Sequence, residues 1–267
     1  LESAEVDSKQ NLKSLLVIDS ALRISAEGRQ VTLRALTPNG NSLLSLLDNQ
    51  LPAGVENHIS DQQRRLVYPT IDSMQDEDAR LKSTSVFDSL RQLLALVTTP
   101  ADQSNAMLLG GLFAYDLVAG FEDLPELASD RRCPDFCFYL AETLLTLDHQ
   151  NGISRLQASL FTPDDAEQLR LQQRLAELQH QLSCPASTIT APVLENMALN
   201  CDRSDEEYGR IVRELQQAIH QGDIFQVVPS RRFTLPCPSP LAAYQTLKEN
   251  NPSPYMFYFS SNDIEIA

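Results

Sequence analysis

Residues 136–161 read FCFYLAETLLTLDHQNGISRLQASLF, and this stretch decides the fold class. Phe136 to Leu147 is an apolar run that suits one long strand, and Ile153 to Phe161 is a second run. Between them stands Asn151-Gly152, a dipeptide that strongly favours a tight turn between antiparallel strands. The stretch therefore predicts a β-hairpin, and with it an antiparallel sheet.

A second hairpin is predicted near the start of the chain. Leu15 to Ile24 and Val31 to Leu36 flank Ala26-Glu27-Gly28, which has the composition of a turn. A further buried strand is predicted from Ala106 to Tyr115. Within it, Gly110-Gly111 indicates a bulge or the close approach of another backbone.

The remaining elements complete the predicted fold class. Apolar residues three and four positions apart, together with capping residues, predict helices at Leu43 to Leu47, at Ser85 to Val97, after a cap at Thr162, and from a capping box at Ser204 to Gly222. Residues 52–80 have little periodicity and are expected to be irregular. Beyond Gly222 we predict a strand at Asp223 to Leu235, a helix at Pro240 to Lys248 and a strand at Tyr255 to Ser260. Hairpins and helices alternate without regular βαβ spacing, so we predict an α+β fold with large, sandwich-like antiparallel sheets and helices packed outside.

The composition excludes several classes of protein. The formal net charge of −15 disfavours binding to nucleic acid or to an anionic membrane surface. No apolar run reaches the length of a membrane helix. The five cysteines are an odd number in a chain of 267 residues, so we expect them to be reduced rather than to form a disulfide scaffold. A cytoplasmic protein is the simplest interpretation.

No pattern of residues predicts catalysis. Neither a glycine-rich phosphate loop nor a GxSxG nucleophile motif occurs, and the four histidines are scattered without the spacing of metal ligands. From periodicity and spacing alone, the chain is an α+β protein of unassigned reaction.

Four segments carry a resemblance to a known family. Residues 222–232, GDIFQVVPSRR, are similar to the signature of anthranilate synthase large subunits (component I), within the chorismate-utilising enzymes. The alternative interpretation of this segment is a buried strand whose two arginines face solvent or a carboxylate. The other segments are Leu1-Glu2-Ser3-Ala4, which resembles the family's LLES motif, Asn251 to Phe257, which resembles its NPSPYMF motif, and the stretch from Gly111 to Pro125. The resemblance covers the chain from residue 1 to about residue 263 and is closest to the enterobacterial form.

The resemblance implies the activity of a longer protein. Such an enzyme converts chorismate and ammonia into anthranilate and pyruvate in the first step of tryptophan biosynthesis. A glutamine amidotransferase subunit supplies the ammonia, Mg²⁺ assists the reaction and L-tryptophan inhibits by feedback. The family's catalytic motifs and its glutamates for Mg²⁺ are absent from this sequence. We therefore expect a truncated N-terminal fragment that has no catalytic or metal-binding residues of its own and is inactive alone.

The resemblance also suggests a division of the chain. We predict an N-terminal regulatory α+β region at residues 1–183, a linker at 184–203 and the incomplete start of the chorismate-binding domain at 204–267.

The residues of the expected tryptophan site come from both ends of the chain. Glu2 and Ser3 can accept hydrogen bonds from the ammonium group of the ligand, and Lys13 could pair with its carboxylate, the alternative being that Lys13 faces solvent. Pro254, Tyr255 and Met256 offer a rigid wall, an aromatic face and an adaptable thioether to the indole ring. A ligand held by both groups would join the first hairpin to the last predicted strand.

Two alternatives stay open on the sequence alone. One is another chorismate-utilising enzyme, similar to aminodeoxychorismate synthase. The other is an amino-acid-binding regulatory module without a catalytic half. Identifying the product of the longer protein would distinguish anthranilate synthase from the first alternative. Catalytic motifs downstream in the same reading frame would exclude the second alternative.

Overall fold

A computed structural model describes residues 1–2, 13–70, 75–97, 107–120, 133–186 and 198–267. The chain divides into two compact units. The first comprises Leu1–Ser187 together with Pro252–Ala267, and the second comprises Thr188–Asn251. The last sixteen residues, which the sequence grouped with 204–251, thus belong to the first unit, while the predicted linker at 184–203 stays a prediction.

The elements of the first unit are mostly strands. Its strands are β1 (Lys13–Glu27), β2 (Gln30–Ala35), β3 (Glu56–Ser60), β4 (Gln63–Val67), β5 (Leu109–Phe113), β6 (Phe136–Asp148), β7 (Ile153–Ala158), β10 (Phe259–Ser260) and β11 (Glu265–Ile266). Its helices are α1 (Pro38–Leu47), α2 (Glu77–Lys82), α3 (Phe87–Leu96), a 3-10 helix (Tyr115–Gly120) and α4 (Asp165–Ser183). The second unit contains β8 (Asn200–Cys201), α5 (Asp205–Gln221), β9 (Phe233–Thr234) and α6 (Pro240–Asn250).

One large antiparallel sheet organises the first unit. Its strands run in the order β3-β4-β2-β1-β6-β5, and β7 also pairs with β6. Both predicted hairpins are confirmed, with Gly28 and Gly152 at φ of +57° and +66° in the two turns. These left-handed conformations favour glycine. The predicted class, α+β with a large antiparallel sheet and helices, is confirmed, but the described residues form one large sheet and two two-stranded sheets rather than a sandwich of large sheets.

The hydrophobic core lies between one face of this sheet and the helices α1 and α3. Its sheet side and its helix side both consist of side chains with almost no exposed surface, among them Leu22, Ile24, Leu33 and Leu140 from the strands and Leu43, Leu44, Leu47 and Leu93 from the helices. Helix α1 approaches β1 so closely that a Cβ atom on Gly40 would overlap the carbonyl oxygen of Ala21. Glycine at position 40 therefore permits this contact between helix and sheet.

A buried carboxylate joins two helices to β6. The side chain of Glu142 is 1% exposed and accepts hydrogen bonds from the Thr37 hydroxyl (2.7 Å), the Asn39 amide (3.1 Å) and the Arg170 guanidinium (2.8 Å). Thr37 caps α1, Asn39 lies in its first turn and Arg170 lies on α4. Because a buried charge is tolerated only with such partners, Glu142 fixes where both helices meet the sheet.

The prediction that residues 52–80 are irregular was wrong. They contain β3, β4 and the beginning of α2. The strands escaped notice because β3 is an edge strand with mostly exposed polar residues, which gives no alternating pattern. In β4 one of the buried positions is occupied by a charged residue, Arg64, where an apolar side chain would be expected. Its Nε donates to Asp48 at 2.8 Å.

Other element boundaries also needed correction. The predicted strand at Asp223 to Leu235 is reduced to Phe233–Thr234, and that at Tyr255 to Ser260 is reduced to an isolated bridge at Met256 and Phe259–Ser260. Among the described residues, 223–232 form no strand pairs, and Phe225 is 99% exposed. A β-branched run favours a strand only where a neighbouring strand is available. The cap of α4 is Asp164 rather than Thr162.

The second unit contains the signature segment. Helix α5 begins with the predicted capping box, in which Ser204 and Glu207 bond reciprocally, and it ends at Gly222 with φ of +83°. The guanidinium carbon of Arg231 lies 5.6 Å from the ring centre of Tyr208 and 4.7 Å from that of Phe233. Its terminal nitrogen lies 2.5 Å from a carboxylate oxygen of Asp205, so the signature arginine is engaged within this unit.

Candidate ligand-binding site

The candidate site is built on a backbone bridge between the two ends of the chain. The amide of Glu2 donates to the carbonyl oxygen of Met256 at 2.7 Å, and the amide of Met256 donates to that of Glu2 at 2.9 Å. This reciprocal pair is an isolated antiparallel bridge. It brings together two sequence motifs that stand more than 250 positions apart.

The same short segment also pairs with the large sheet. The backbone nitrogen of Leu1 donates to the carbonyl oxygen of Leu15 at 3.0 Å, and the amide of Leu15 donates to that of Leu1 at 2.9 Å. Successive residues of an extended strand direct their hydrogen-bonding groups to opposite sides. Residues 1–2 therefore lie between the start of β1 and Met256.

The side chains of the candidate site differ in exposure. Tyr255 is 91% exposed, Pro254 and Glu2 are half-buried, and Met256 is 8% exposed. The phenol ring of Tyr255 is thus accessible for stacking on a flat ligand, while Met256 is fixed by its two backbone hydrogen bonds. Ser3 lies outside the described residues.

Lys13 is at the beginning of β1, on the exposed surface. It stands directly opposite Asp148 in the β1–β6 ladder. Hydrogen bonds from Asn151 hold the pKa of Asp148 below its ordinary value, and the charge of Lys13 contributes in the same direction. Lys13 thus has an acidic neighbour already, and its role in ligand binding stays a prediction.

The two bridged segments carry the chemical groups expected for an aromatic ligand with an ammonium group. A carboxylate at Glu2, an exposed aromatic ring at Tyr255 and a thioether at Met256 come from segments that are joined by backbone hydrogen bonds. Carboxylates accept hydrogen bonds from an ammonium group, and aromatic rings and thioethers contact flat apolar rings favourably. Nothing in this set provides a nucleophile or a general base at an enclosed position.

The described residues do not form a metal centre. No three histidine, cysteine, aspartate or glutamate side chains converge within the described ranges as metal ligands would. The described residues therefore offer no set of ligands that would hold Mg²⁺. The five cysteines are free, and Cys137 is the buried one.

Sequence reasoning missed residues that hold residues 252–267 on the sheet. The ring centres of Tyr139 on β6 and Phe259 on β10 are 5.9 Å apart. Arg23 on β1 forms an ion pair with Asp263, in the turn between β10 and β11. No sequence pattern connects such distant positions, although Arg23 within an apolar strand is a signal that a partner exists.

Comparison with known proteins defines the class. The family model described as chorismate binding enzyme matches residues 51–267. The chain belongs to the chorismate-binding enzyme family.

Particular relatives are more informative still. Along its whole length the chain is 62% identical to anthranilate synthase component 1 of Serratia marcescens and 57% identical to that of Escherichia coli K12, in each case over 51% of the relative. The chain thus spans about half the length of the curated relatives it matches. These matches support the anthranilate synthase interpretation over both alternatives raised by the sequence.

A solved structure shares the fold. Component I of anthranilate synthase from Streptococcus pneumoniae TIGR4 superposes with a TM-score of 0.59, at 17% identity, over 97% of this chain and 50% of that one. Across the described part of the chain, no helix has both the length and the apolar character needed to cross a membrane.

Proposed function

We propose that this chain is the regulatory portion of an anthranilate synthase large subunit and that it binds L-tryptophan between residues 1–3 and 254–256. The observation that carries the proposal is the Glu2–Met256 backbone bridge, which brings the two motifs of the expected site together. In this arrangement Glu2 and Ser3 receive the ammonium group of tryptophan, Tyr255 and Met256 contact the indole, and Pro254 limits the slot. Lys13 is proposed as a partner for the ligand carboxylate.

Calorimetry tests the binding proposal directly. The chain is titrated with L-tryptophan and, as a control, with L-phenylalanine. Saturable heat with tryptophan and much weaker binding of phenylalanine is the expected result, because the smaller ring leaves part of an indole-sized slot unfilled. If the folded chain gives no heat with tryptophan, the titration is repeated on a polypeptide of the relatives' full length. Absence of binding there as well would overturn the proposal.

The activity belongs to the longer protein. We propose that a polypeptide of the relatives' full length containing this chain converts chorismate and ammonia into anthranilate and pyruvate in the first step of tryptophan biosynthesis. It would use Mg²⁺ held outside this chain, with an amidotransferase subunit that releases ammonia from glutamine, in the cytoplasm. The chain aligns along its whole length with two anthranilate synthases, at 62% and 57% identity, and this similarity supports the proposal.

A product assay distinguishes this activity from its nearest alternative. The full-length polypeptide is incubated with chorismate, ammonium and Mg²⁺, and its products are separated and identified. Anthranilate with an equal amount of pyruvate is expected, and L-tryptophan is expected to reduce its rate of formation. Aminodeoxychorismate without pyruvate would contradict the assignment. The 267-residue chain alone is expected to form neither product.

A further inference from the structure

The segment that carries Tyr255 and Met256 continues into a very small hairpin. Strands β10 and β11 pair through only Phe259 with Ile266 and Ser260 with Glu265. A two-stranded hairpin of this size has little stability by itself. Its position on the first unit therefore depends on side-chain contacts with the large sheet.

Two side-chain contacts anchor the hairpin, and their sheet residues are neighbours. Arg23 pairs with Asp263, and Tyr139 packs its ring against Phe259. Arg23 and Tyr139 stand directly opposite each other in the β1–β6 ladder. Directly opposite residues of an antiparallel ladder project from the same face, so both anchors hold the hairpin to one point of that face.

Charge explains why Asp263 is the right partner. Arg23 stands directly opposite Arg34 in the β1–β2 ladder, which places two cations side by side. The Arg23 side chain is only 18% exposed, so its charge is poorly solvated. A carboxylate from the hairpin offsets both effects, whereas like charges directly opposite each other destabilise a sheet.

We propose that Arg23 and Tyr139 are positioning residues of the tryptophan site. Through Asp263 and Phe259 they hold the hairpin, and thereby the adjoining residues 254–256, at the location where Met256 pairs with Glu2. This inference rests on the proposed function and deepens it. Both residues act through the hairpin, so their loss lowers affinity for tryptophan by making the wall of the site less well fixed.

The test uses the ligand's own fluorescence. The chain contains no tryptophan, so the anisotropy of L-tryptophan, excited where tyrosine does not absorb, reports binding directly. Variants Arg23→Met and Asp263→Asn are each expected to weaken tryptophan binding by at least about fivefold, a typical lower bound for coupling between sites. The double variant should bind tryptophan no more weakly than whichever single variant has the lower affinity, because both substitutions remove the same ion pair.

Three further variants separate positioning from a general structural effect. Arg23→Asp combined with Asp263→Arg should recover part of the affinity, because the ion pair is rebuilt with reversed polarity. Tyr139→Ala, which removes the ring that packs against Phe259, should weaken binding as Arg23→Met does. Arg65→Met is the matched control, since it removes an exposed arginine from another strand of the same sheet, and it should leave affinity unchanged.

The outcomes keep the two proposals apart. If the unsubstituted chain and the full-length protein both fail to bind tryptophan, the proposed function falls. If the unsubstituted chain binds and both Arg23→Met and Asp263→Asn bind equally well, the proposed function stands and the positioning role is overturned. The same holds if Arg65→Met weakens binding as much as Arg23→Met does.

Discussion

At the scale of one residue, substitution of Tyr255 should change ligand affinity without changing stability. Its side chain is 91% exposed, so truncation removes almost no buried surface. Tyr255→Ala is expected to weaken tryptophan binding by roughly tenfold, about the 1.4 kcal/mol that an aromatic pair contributes beyond burial, while thermal stability stays unchanged. Tyr115→Ala is the matched control, because Tyr115 is 92% exposed and lies outside the candidate site. Equal affinities of the two variants would remove Tyr255 from the site.

Two adjacent glycines in β5 should differ in how strongly the same substitution affects stability. A Cβ atom on Gly111 would overlap the carbonyl oxygen of Cys137 and the ring of Phe138, whereas one on Gly110 has no neighbour closer than 4.0 Å. Gly111→Ala should therefore lower the free energy of unfolding by about 1–3 kcal/mol, and Gly110→Ala should change it by less than about 1 kcal/mol. Urea denaturation measures both, and similar losses would contradict the close approach.

The sequence predicted the close approach at Gly110-Gly111 but not which glycine requires it. That distinction depends on the β5–β6 register, which places Gly111 opposite Phe138. The resemblance likewise placed Glu2 and Met256 in one site, and their backbones do pair. It provided no information on Arg23 or Tyr139, because a contact across strands and across more than 100 positions leaves no local pattern.

Between elements, the ion pair of α4 with β6 should matter more than an exposed pair. Arg170→Met leaves Glu142, which is 1% exposed, without its cation. We expect a loss of roughly 3 kcal/mol in the free energy of unfolding, the lower end for a broken buried pair, because Arg170 is 35% exposed. Lys82→Met breaks a pair whose side chains are 76% and 85% exposed, and it should cost under about 0.5 kcal/mol. A loss for Arg170→Met as small as the loss for Lys82→Met would show that Glu142 needs no cation.

A second contact of α4 should make stability depend on acid pH. The hydrogen bond from Arg174 holds the pKa of Asp19 below its ordinary value, with further help from Thr143. Since the pKa is lower in the folded state than in the unfolded state, where it is about 3.9, the pair stabilises the fold above that pH. The contribution disappears as the pH falls through the folded-state pKa.

The variant Asp19→Asn tests this linkage. It should be less stable than the unsubstituted chain at neutral pH, and the difference should shrink as the pH falls below about 4. Denaturation midpoints measured from neutral to acid pH give the comparison. A difference that stays constant across this range would mean that Asp19 does not titrate differently in the folded state.

Elements were predictable where periodicity and turn residues agreed. Both hairpins and the cap and end of α5 follow from local chemistry at Gly28, Gly152 and Ser204. The polar edge strand β3 was missed because its residues face solvent, and the apolar segment after Gly222 was assigned to a strand although no described strand pairs with residues 223–232. Local sequence predicts which residues are buried and where turns occur, whereas strand formation also depends on a pairing strand elsewhere in the chain.

For the whole molecule, the central claim is that one ligand is held by both ends of the chain. The most direct test is hydrogen exchange of the Glu2 and Met256 amides with and without L-tryptophan. Both amides bond across the bridge, so a ligand bound to both segments should suppress local opening of the bridge and slow their exchange together. Phenylalanine at the same concentration should have a much smaller effect. Protection at only one of the two amides, or at neither under saturating tryptophan, would contradict the account.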